Sequence, residues 1–252
     1  MTGFMAATEG DRMTESDLPT GRIGLIGGMS WPSTLTYYRE LNRRVAAELG
    51  GSHSAHLVVW SADYHFVEQA QLNGDWREAG RLVGEAAAAL QAAGADFLAM
   101  ACNTMHAVAD AIPRYSSLPF VSLVDATVDA LDGRTRVALL GTSTTTSMPA
   151  FADAFAAGGI AVVDPGAGAQ RELDRIIYSE LCLGHVVPES GQWLRGLGEE
   201  LTAQGAEAVI LACTELNLLV DTGEPAPLPW LDTTVAHIDA IARAALRHGT
   251  ES

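Results

Sequence analysis

The stretch ADFLAMACNT (95–104) has a second copy in AEAVILACTE (206–215), and in each an apolar run ends in a cysteine followed by a polar pair. The two endings are Cys102-Asn103-Thr104 and Cys213-Thr214-Glu215. A short apolar run bounded by polar residues reads as a buried strand, and a thiol at its carboxyl end lies where open parallel sheets bind ligands. The flanks repeat too. RIGLIGG (22–28) matches RVALLGT (136–142), and VSLVDATV (121–128) matches LPWLDTTV (228–235). Gly27 precedes Cys102 by 75 residues and Gly141 precedes Cys213 by 72, while Asp125 follows Cys102 by 23 and Asp232 follows Cys213 by 19. An internal duplication accounts for these matches.

Between the matched segments, short β-rich runs alternate with Ala-rich helical ones. The first half runs RIGLIGG, a helix over 33–49, AHLVVWSA (55–62), a helix over 76–94, ADFLAMA (95–101) and a strand VSLVDAT (121–127). The second half has RVALLGT, a helix near 147–157, IAVVDP (160–165), helices near 170–182 and 189–204, AEAVILA (206–212), PWLDT (229–233) and a last helix at 234–247. This order predicts an α/β fold of two pseudo-symmetric domains, each a mostly parallel sheet flanked by helices, with the active site in the cleft between them. A pseudo-twofold axis would bring the two thiols to one ligand from opposite sides.

Two facing thiols suit inversion of a stereocentre beside a carboxylate. One, as thiolate, removes a proton from carbon while the other, as thiol, returns one to the opposite face. A free thiol has a pKa of roughly 8.5, and a helix N-terminus lowers it. Backbone N–H groups at the helix starts, with Asn103, Thr104 and Thr214, are candidates to cradle the substrate carboxylate. GLIGGMS (24–30) forms a third strand-to-helix turn, a weak signal alone because it lacks the full G-x-G-x-x-G fingerprint.

Composition narrows the field. With 252 residues, 48% of them hydrophobic, the chain can bury a large core. A formal charge of −16 argues against nucleic acid or acidic membrane as partner. All fifteen basic residues are Arg. Without a lysine, pyridoxal phosphate held as a Schiff base and Schiff-base aldol chemistry are excluded. Residues 1–20 lack a basic start and a continuous apolar stretch, so they read as a disordered leader and not a signal peptide. No apolar run reaches a membrane span of roughly 18 residues, and three cysteines cannot all pair within the chain. A reduced cytoplasmic protein is the simplest account.

As a set, GLIGGMSWPSTLTYYRELN (24–42), GGSHSA (50–55), ADYHFVEQAQLNGDW (62–76), ACNTMH (101–106), IIYSELCLG (176–184) and ACTEL (212–216) resemble the aspartate/glutamate racemase superfamily. They are similar to the blocks of its aspartate racemase and broad-specificity amino acid racemase branch, over about residues 21–240. The resemblance implies catalytic thiols at Cys102 and Cys213, no cofactor, an amino acid substrate, and substrate contacts from Met29, Gln71, Asn103, Thr104, Thr214 and Glu215. It also implies a homodimer and a second domain, 118–230, inserted into a first made of 21–117 and 231–252. Glutamate racemases proper carry a D-S-G type first loop and a C-T-H second motif, where this chain has GGMS and CTEL. Aspartate racemases of the family carry a lysine shortly before the I-I-[YF]-x-E-L block. Here the segment is QRELDRIIYSEL, with Glu172 in the lysine's place, so Glu172 is expected to set specificity, disfavouring an acidic substrate side chain unless Arg171 or Arg175 compensates.

Plainer readings stand beside these. A lone buried cysteine is more often core packing than catalyst, and Cys182, on a helix-like stretch without a matching repeat, is expected to pack. C-x₃-H at Cys102/His106 and C-x₂-H at Cys182/His185 lack the paired spacing of structural zinc. His106 is expected to cap or orient the helix after Cys102, or to tune the thiolate as an imidazolium. Asp125 and Asp232 read as helix N-caps, Met29 and Trp31 as packing under the first loop, and Gln71 as a solvated amide. The rival functions are a decarboxylase or maleate isomerase of the same superfamily and a non-catalytic amino acid binding protein.

Overall fold

The structure, a computed structural model, describes residues 19–220 and 229–251; the leader expected over 1–20 lies outside them save for its last two residues. The first half contains β1 (Ile23–Gly27), α1 (Trp31–Leu49), β2 (Leu57–Ser61), α2 (Tyr64–Leu72), α3 (Trp76–Ala92), β3 (Phe97–Met100), a 3₁₀ stretch (Thr104–Arg114) and β4 (Phe120–Val121). Next come α4 (Leu123–Asp129), β5 (Arg136–Leu140), α5 (Ser143–Thr146), α6 (Pro149–Ala157), β6 (Ala161–Val162), α7 (Gly166–Ser179) and α8 (Pro188–Ala203). The chain closes with β7 (Ala208–Leu211), α9 (Asn217–Val220), β8 (Trp230–Asp232) and α10 (Thr233–Glu251).

The strands form two parallel sheets of four, ordered β2-β1-β3-β4 and β6-β5-β7-β8. The orders are the same once each half is counted from its own first strand, and the duplication reaches single hydrogen bonds. Ala101 N–H donates to the Ile26 carbonyl at 2.8 Å, and Ala212 N–H to the Leu140 carbonyl at 2.7 Å. Leu98 N–H meets the Pro119 carbonyl at 2.8 Å as Val209 N–H meets that of Pro229 at 3.1 Å. The strands β1, β3 and β7 are buried along their whole length, which is why they read as unbroken apolar runs and not as alternating ones.

Each sheet ends by handing a helix to the other. β4 pairs with β3 in the first sheet, yet α4 sends Leu123 and Val124 into the second core beside Val137, Leu139 and Phe151. β8 pairs with β7 in the second sheet, yet α10 sends Ile238, Ile241 and Ala245 into the first core beside Ile23, Leu25 and Tyr37. The two exchanged helices lie against each other. The crossings fall just after Val121 and Asp232, a few residues beyond the 117/118 and 230/231 limits expected from sequence.

Local chemistry explains where elements differ from expectation. VSLVDAT is only briefly a strand: the Ser122 hydroxyl accepts from Asp125 N–H at 3.2 Å and starts α4, so Ser122, not Asp125, is the cap. Asp232 does cap, accepting from Thr234 N–H at 2.7 Å. The helix expected near 147–157 is α6, begun by Pro149, and a separate short helix, α5, precedes it where none was expected. Cys182 is exposed on a 3₁₀ turn after α7, so it does not pack in a core.

Candidate active site

The first loop is shaped by Gly28, whose φ is +87° and where a Cβ would lie 2.3 Å from the Ala62 carbonyl oxygen. Only glycine fits there. Gly28 N–H donates to Thr34 Oγ1 at 2.8 Å, and Thr34 Oγ1 donates to the Ser30 carbonyl at 2.9 Å, fixing the loop to the first turns of α1. Met29 is buried against Ile26, Val67 and Met100, as packing would have it.

Cys102 follows β3 and Cys213 follows β7, at equivalent ends of the two sheets. After Cys102 the chain turns into 3₁₀ geometry in place of the expected α-helix, and the backbone N–H groups of Met105 and Thr104 face the thiol. Burial pushes the Cys102 thiol up to about 11, those two N–H groups oppose the rise, and the Glu215 carboxylate adds to it. Cys213 is raised well above the ordinary thiol value, first by burial and then by Glu215. Its Sγ–H donates to Glu215 Oε2 at 3.1 Å, and Thr214 Oγ1 donates to the same oxygen at 2.6 Å. Both bonds fall on Oε2. One carboxylate therefore holds both thiols toward the protonated state.

Side chains from the two halves meet around these turns. Ser33 Oγ on α1 lies 3.2 Å from Thr214 Oγ1, and Thr104 Oγ1 lies 3.1 Å from Thr145 Oγ1, which in turn accepts from Thr142 Oγ1 at 3.0 Å. Thr233 Oγ1, at the head of α10, donates to Asn103 Oδ1 at 3.0 Å and lies 3.1 Å from the Leu211 carbonyl. Tyr64, its pKa raised to about 12 by burial, is within electrostatic reach of Cys102, Cys182 and Tyr178. Thus Cys102, Asn103, Thr104, Cys213, Thr214 and Glu215 gather at one place. Gln71 stands behind the Cys102 turn, its Nε2 donating to Met105 Sδ at 3.1 Å.

His106 orients the turn as a neutral ring. Leu123 N–H donates to its Nε2 at 3.1 Å, which leaves the proton on Nδ1 for the Cys102 carbonyl at 2.7 Å. Burial holds its pKa down to about 4, which removes the imidazolium reading. His237 lies edge-on to it, ring centroids 5.8 Å apart. It donates from Nε2 to the Val121 carbonyl and accepts the Tyr37 hydroxyl on Nδ1, both at 2.9 Å. Burial and the neighbouring His106 bring it down to about 3.

The expectation for Glu172 needs correction. The face of α7 that meets the end of β5 carries Gln170, bonded to the Gly141 carbonyl at 2.9 Å, and Asp174, bonded to Ser143 N–H at 2.8 Å. Glu172 points the other way, into a cavity of about 410 Å³ with Trp193, Gly196 and Glu200. There it pairs with Arg175 at 2.7 Å, and Arg175 is further tied to Glu180 at 2.7 Å. A helix turns 100° per residue, so two positions from Gln170 is nearly the opposite face.

Sequence reasoning missed Ser33, Tyr64, Thr142, Thr145, Tyr178 and Thr233. The run TSTTTS (142–147), in the place the first repeat gives to GMS, was an available signal for the threonines. Among the described residues, no group of three or more His, Cys, Asp and Glu is arranged to hold a metal ion, and no helix is long and apolar enough to cross a membrane.

Comparison with known proteins gives the family and the fold. Broad specificity amino-acid racemase RacX of Bacillus subtilis (strain 168) is 25% identical over 203 residues, covering 79% of this chain and 87% of the relative. A candidate Asp/Glu racemase from Yersinia pestis, known by crystal structure, superposes with a TM-score of 0.84 at 41% identity, over 88% of this chain and 98% of that one. An aspartate racemase homologue from Pyrococcus horikoshii OT3 gives 0.76 at 31% identity, over 88% and 98%. The model of the Asp/Glu/Hydantoin racemase family matches residues 26–241. With a matching fold and a family pattern that spans both repeats, the chain belongs to the Asp/Glu/Hydantoin racemase family.

Proposed function

We propose that this protein interconverts L- and D-amino acids without a cofactor, Cys102 and Cys213 exchanging protons with Cα from opposite faces. The observation that carries the reading is the pair of thiols at equivalent strand ends, both acted on by the Glu215 carboxylate. Inverting Cα needs one thiolate to take the proton from one face and one thiol to return a proton to the other. The surroundings favour a division of labour. Cys102, faced by two backbone N–H groups, is the easier to ionise, while Cys213, donating to Glu215, is held as the acid. In the reverse direction the roles exchange.

In this proposal the substrate ammonium sits against Glu215, on the oxygen that Cys213 and Thr214 leave open. Its positive charge offsets the carboxylate and lowers both thiol pKa values when substrate binds. The substrate carboxylate is received by Asn103, Thr104 and the backbone N–H groups of the two turns, with Thr145 giving up its bond to Thr104. Met29 and Gln71 support the site from behind. The three free thiols suit a reducing cytoplasm.

The test is deuterium incorporation at Cα in D₂O for a panel of L- and D-amino acids under reducing conditions, followed by chiral chromatography. Exchange with inversion is expected, and Cys102→Ser and Cys213→Ser should each abolish inversion. Full inversion by either variant would overturn the two-thiol mechanism. No exchange with any amino acid would favour a decarboxylase or isomerase.

A further inference from the structure

We infer that Thr233 is a positioning residue that holds the two thiol-bearing turns at a fixed spacing; the inference rests on the two-thiol reading above. Ser33 and Thr145 each meet one of the turns, at Thr214 and at Thr104. Thr233 meets the chain beside both. Its Oγ1 lies 3.0 Å from Oδ1 of Asn103, the residue after Cys102, and 3.1 Å from the carbonyl of Leu211, two residues before Cys213. The residue is fully buried. Its one hydroxyl proton is shared between two acceptors, so neither can shift without disturbing the other's bond.

The hydroxyl stands on a fixed base. Asp232, just before it, accepts on Oδ1 from Thr234 N–H at 2.7 Å and on Oδ2 from the Asn217 side chain. Asn217 ends the 3₁₀ turn Thr214–Leu216 that follows Cys213. One turn further along α10, His237 holds the Val121 carbonyl and the Tyr37 hydroxyl. α10 lies in the core of the first sheet through Ile238, Ile241 and Ala245, while β8, which leads into it, pairs in the second. Thr233 therefore stands where the chain passes from one sheet to the other, tied to both.

The duplication shows that the fold itself does not ask for this hydroxyl. Leu123 begins α4 after β4 as Thr233 begins α10 after β8, and Leu123 is a core residue beside Val137 and Phe151. An apolar side chain starts the one helix, so a buried hydroxyl at the head of the other is explained by what it touches, Asn103 from the opposite half. The chemistry makes spacing matter. Taking a proton from one face and delivering one to the other needs both sulfurs aligned with Cα, and a misplacement of ~1 Å costs about 100-fold in rate. When the second thiol is out of place, the carbanion takes a proton back from the first. In D₂O that first thiol has exchanged its proton with solvent, so inversion gives way to exchange without inversion.

The test is Thr233→Val, which keeps the shape and removes the hydroxyl, assayed in D₂O with the amino acid that the parent racemises fastest. Turnover by inversion is expected to fall by ~10- to 100-fold, with KM within about 3-fold of the parent. Deuterium in the recovered starting enantiomer should rise relative to deuterium in the product. Thr233→Ser, which restores the hydroxyl, should bring both readings back to within about 3-fold of the parent. A smaller folded fraction alone lowers exchange and inversion together and leaves their ratio as it was. Thr233→Ala repeats the measurement if the valine variant does not accumulate as folded protein. Parental inversion rates without the hydroxyl, or loss of exchange and inversion in one proportion, would overturn the positioning role. A parent that exchanges no amino acid would instead overturn the two-thiol reading, and this inference with it.

Discussion

Glu215→Gln removes the carboxylate that receives the Cys213 thiol proton at 3.1 Å while keeping the side chain's shape. At that separation, and an effective dielectric of roughly 20, a unit charge opposes thiolate formation by about 5 kcal/mol. Glu215 is partly open to solvent, and screening reduces this to about 2 kcal/mol. The Cys213 pKa is expected to fall, and that of Cys102, on which the same carboxylate acts, to fall as well. The thiolate fraction then rises tenfold per unit, while nucleophilicity declines with a slope of roughly 0.4–0.5. The net expectation is about a 7-fold faster alkylation of Cys213 at pH 8. Iodoacetamide labelling followed by peptide mass spectrometry measures it, in a Cys182→Ser background because Cys182 is exposed. Racemisation should drop in the same protein, since the ammonium contact is lost. Labelling at the parent rate or slower would refute the idea that Glu215 sets the thiols' protonation.

Other outcomes follow from the same geometry. Glu172→Lys should leave the ranking of amino acid substrates unchanged and cost less than about 1 kcal/mol, because the Arg175 pair is largely exposed; an altered ranking in competition assays would place Glu172 in the site after all. Tyr37→Phe leaves the buried His237 Nδ1 without its donor and should lower stability by about 1–3 kcal/mol in urea titrations, where an unchanged midpoint would contradict the assigned tautomer. His106 and His237, with folded pKa values of about 4 and about 3 against 6.5 unfolded, bind fewer protons folded than unfolded. Their contribution is complete above about pH 6.5 and is lost as pH falls from there toward 4, at about 1.4 kcal/mol per unit for each ring. A urea midpoint that stays level from pH 7 to 5 would count against two neutral buried rings.

Much of this architecture was legible because buried parallel strands announce themselves as apolar runs, and because the runs came twice. The cysteines stood out for the same reason: a thiol repeated at one place in a duplicated pattern is harder to ascribe to packing than a single one. The pattern failed where direction mattered. Glu172 was placed by its position along the chain, but which face of α7 looks toward β5 is fixed by Gln170 and Asp174, whose partners lie about 30 residues away. Ser33 and Thr233 escaped because they reach the site from the other half of the fold. The strand read over 121–127 failed for a local reason, a single serine whose hydroxyl starts a helix after two paired residues.

The traded helices, α4 and α10, bear on ancestry. Cut between the repeats, neither half is a finished folding unit, since each would uncover the part of one sheet face that α1 or α6 does not reach and carry a helix with nothing of its own to cover. A half-length forebear of such a chain is complete only as an intertwined couple, each member lending its last helix and each presenting one thiol near the axis. In that couple the two thiols are identical by symmetry and cannot specialise. Joining the copies end to end lifts that constraint, and the present chain shows the result: one turn with Asn103, Thr104 and backbone donors, the other with Thr214 and a carboxylate.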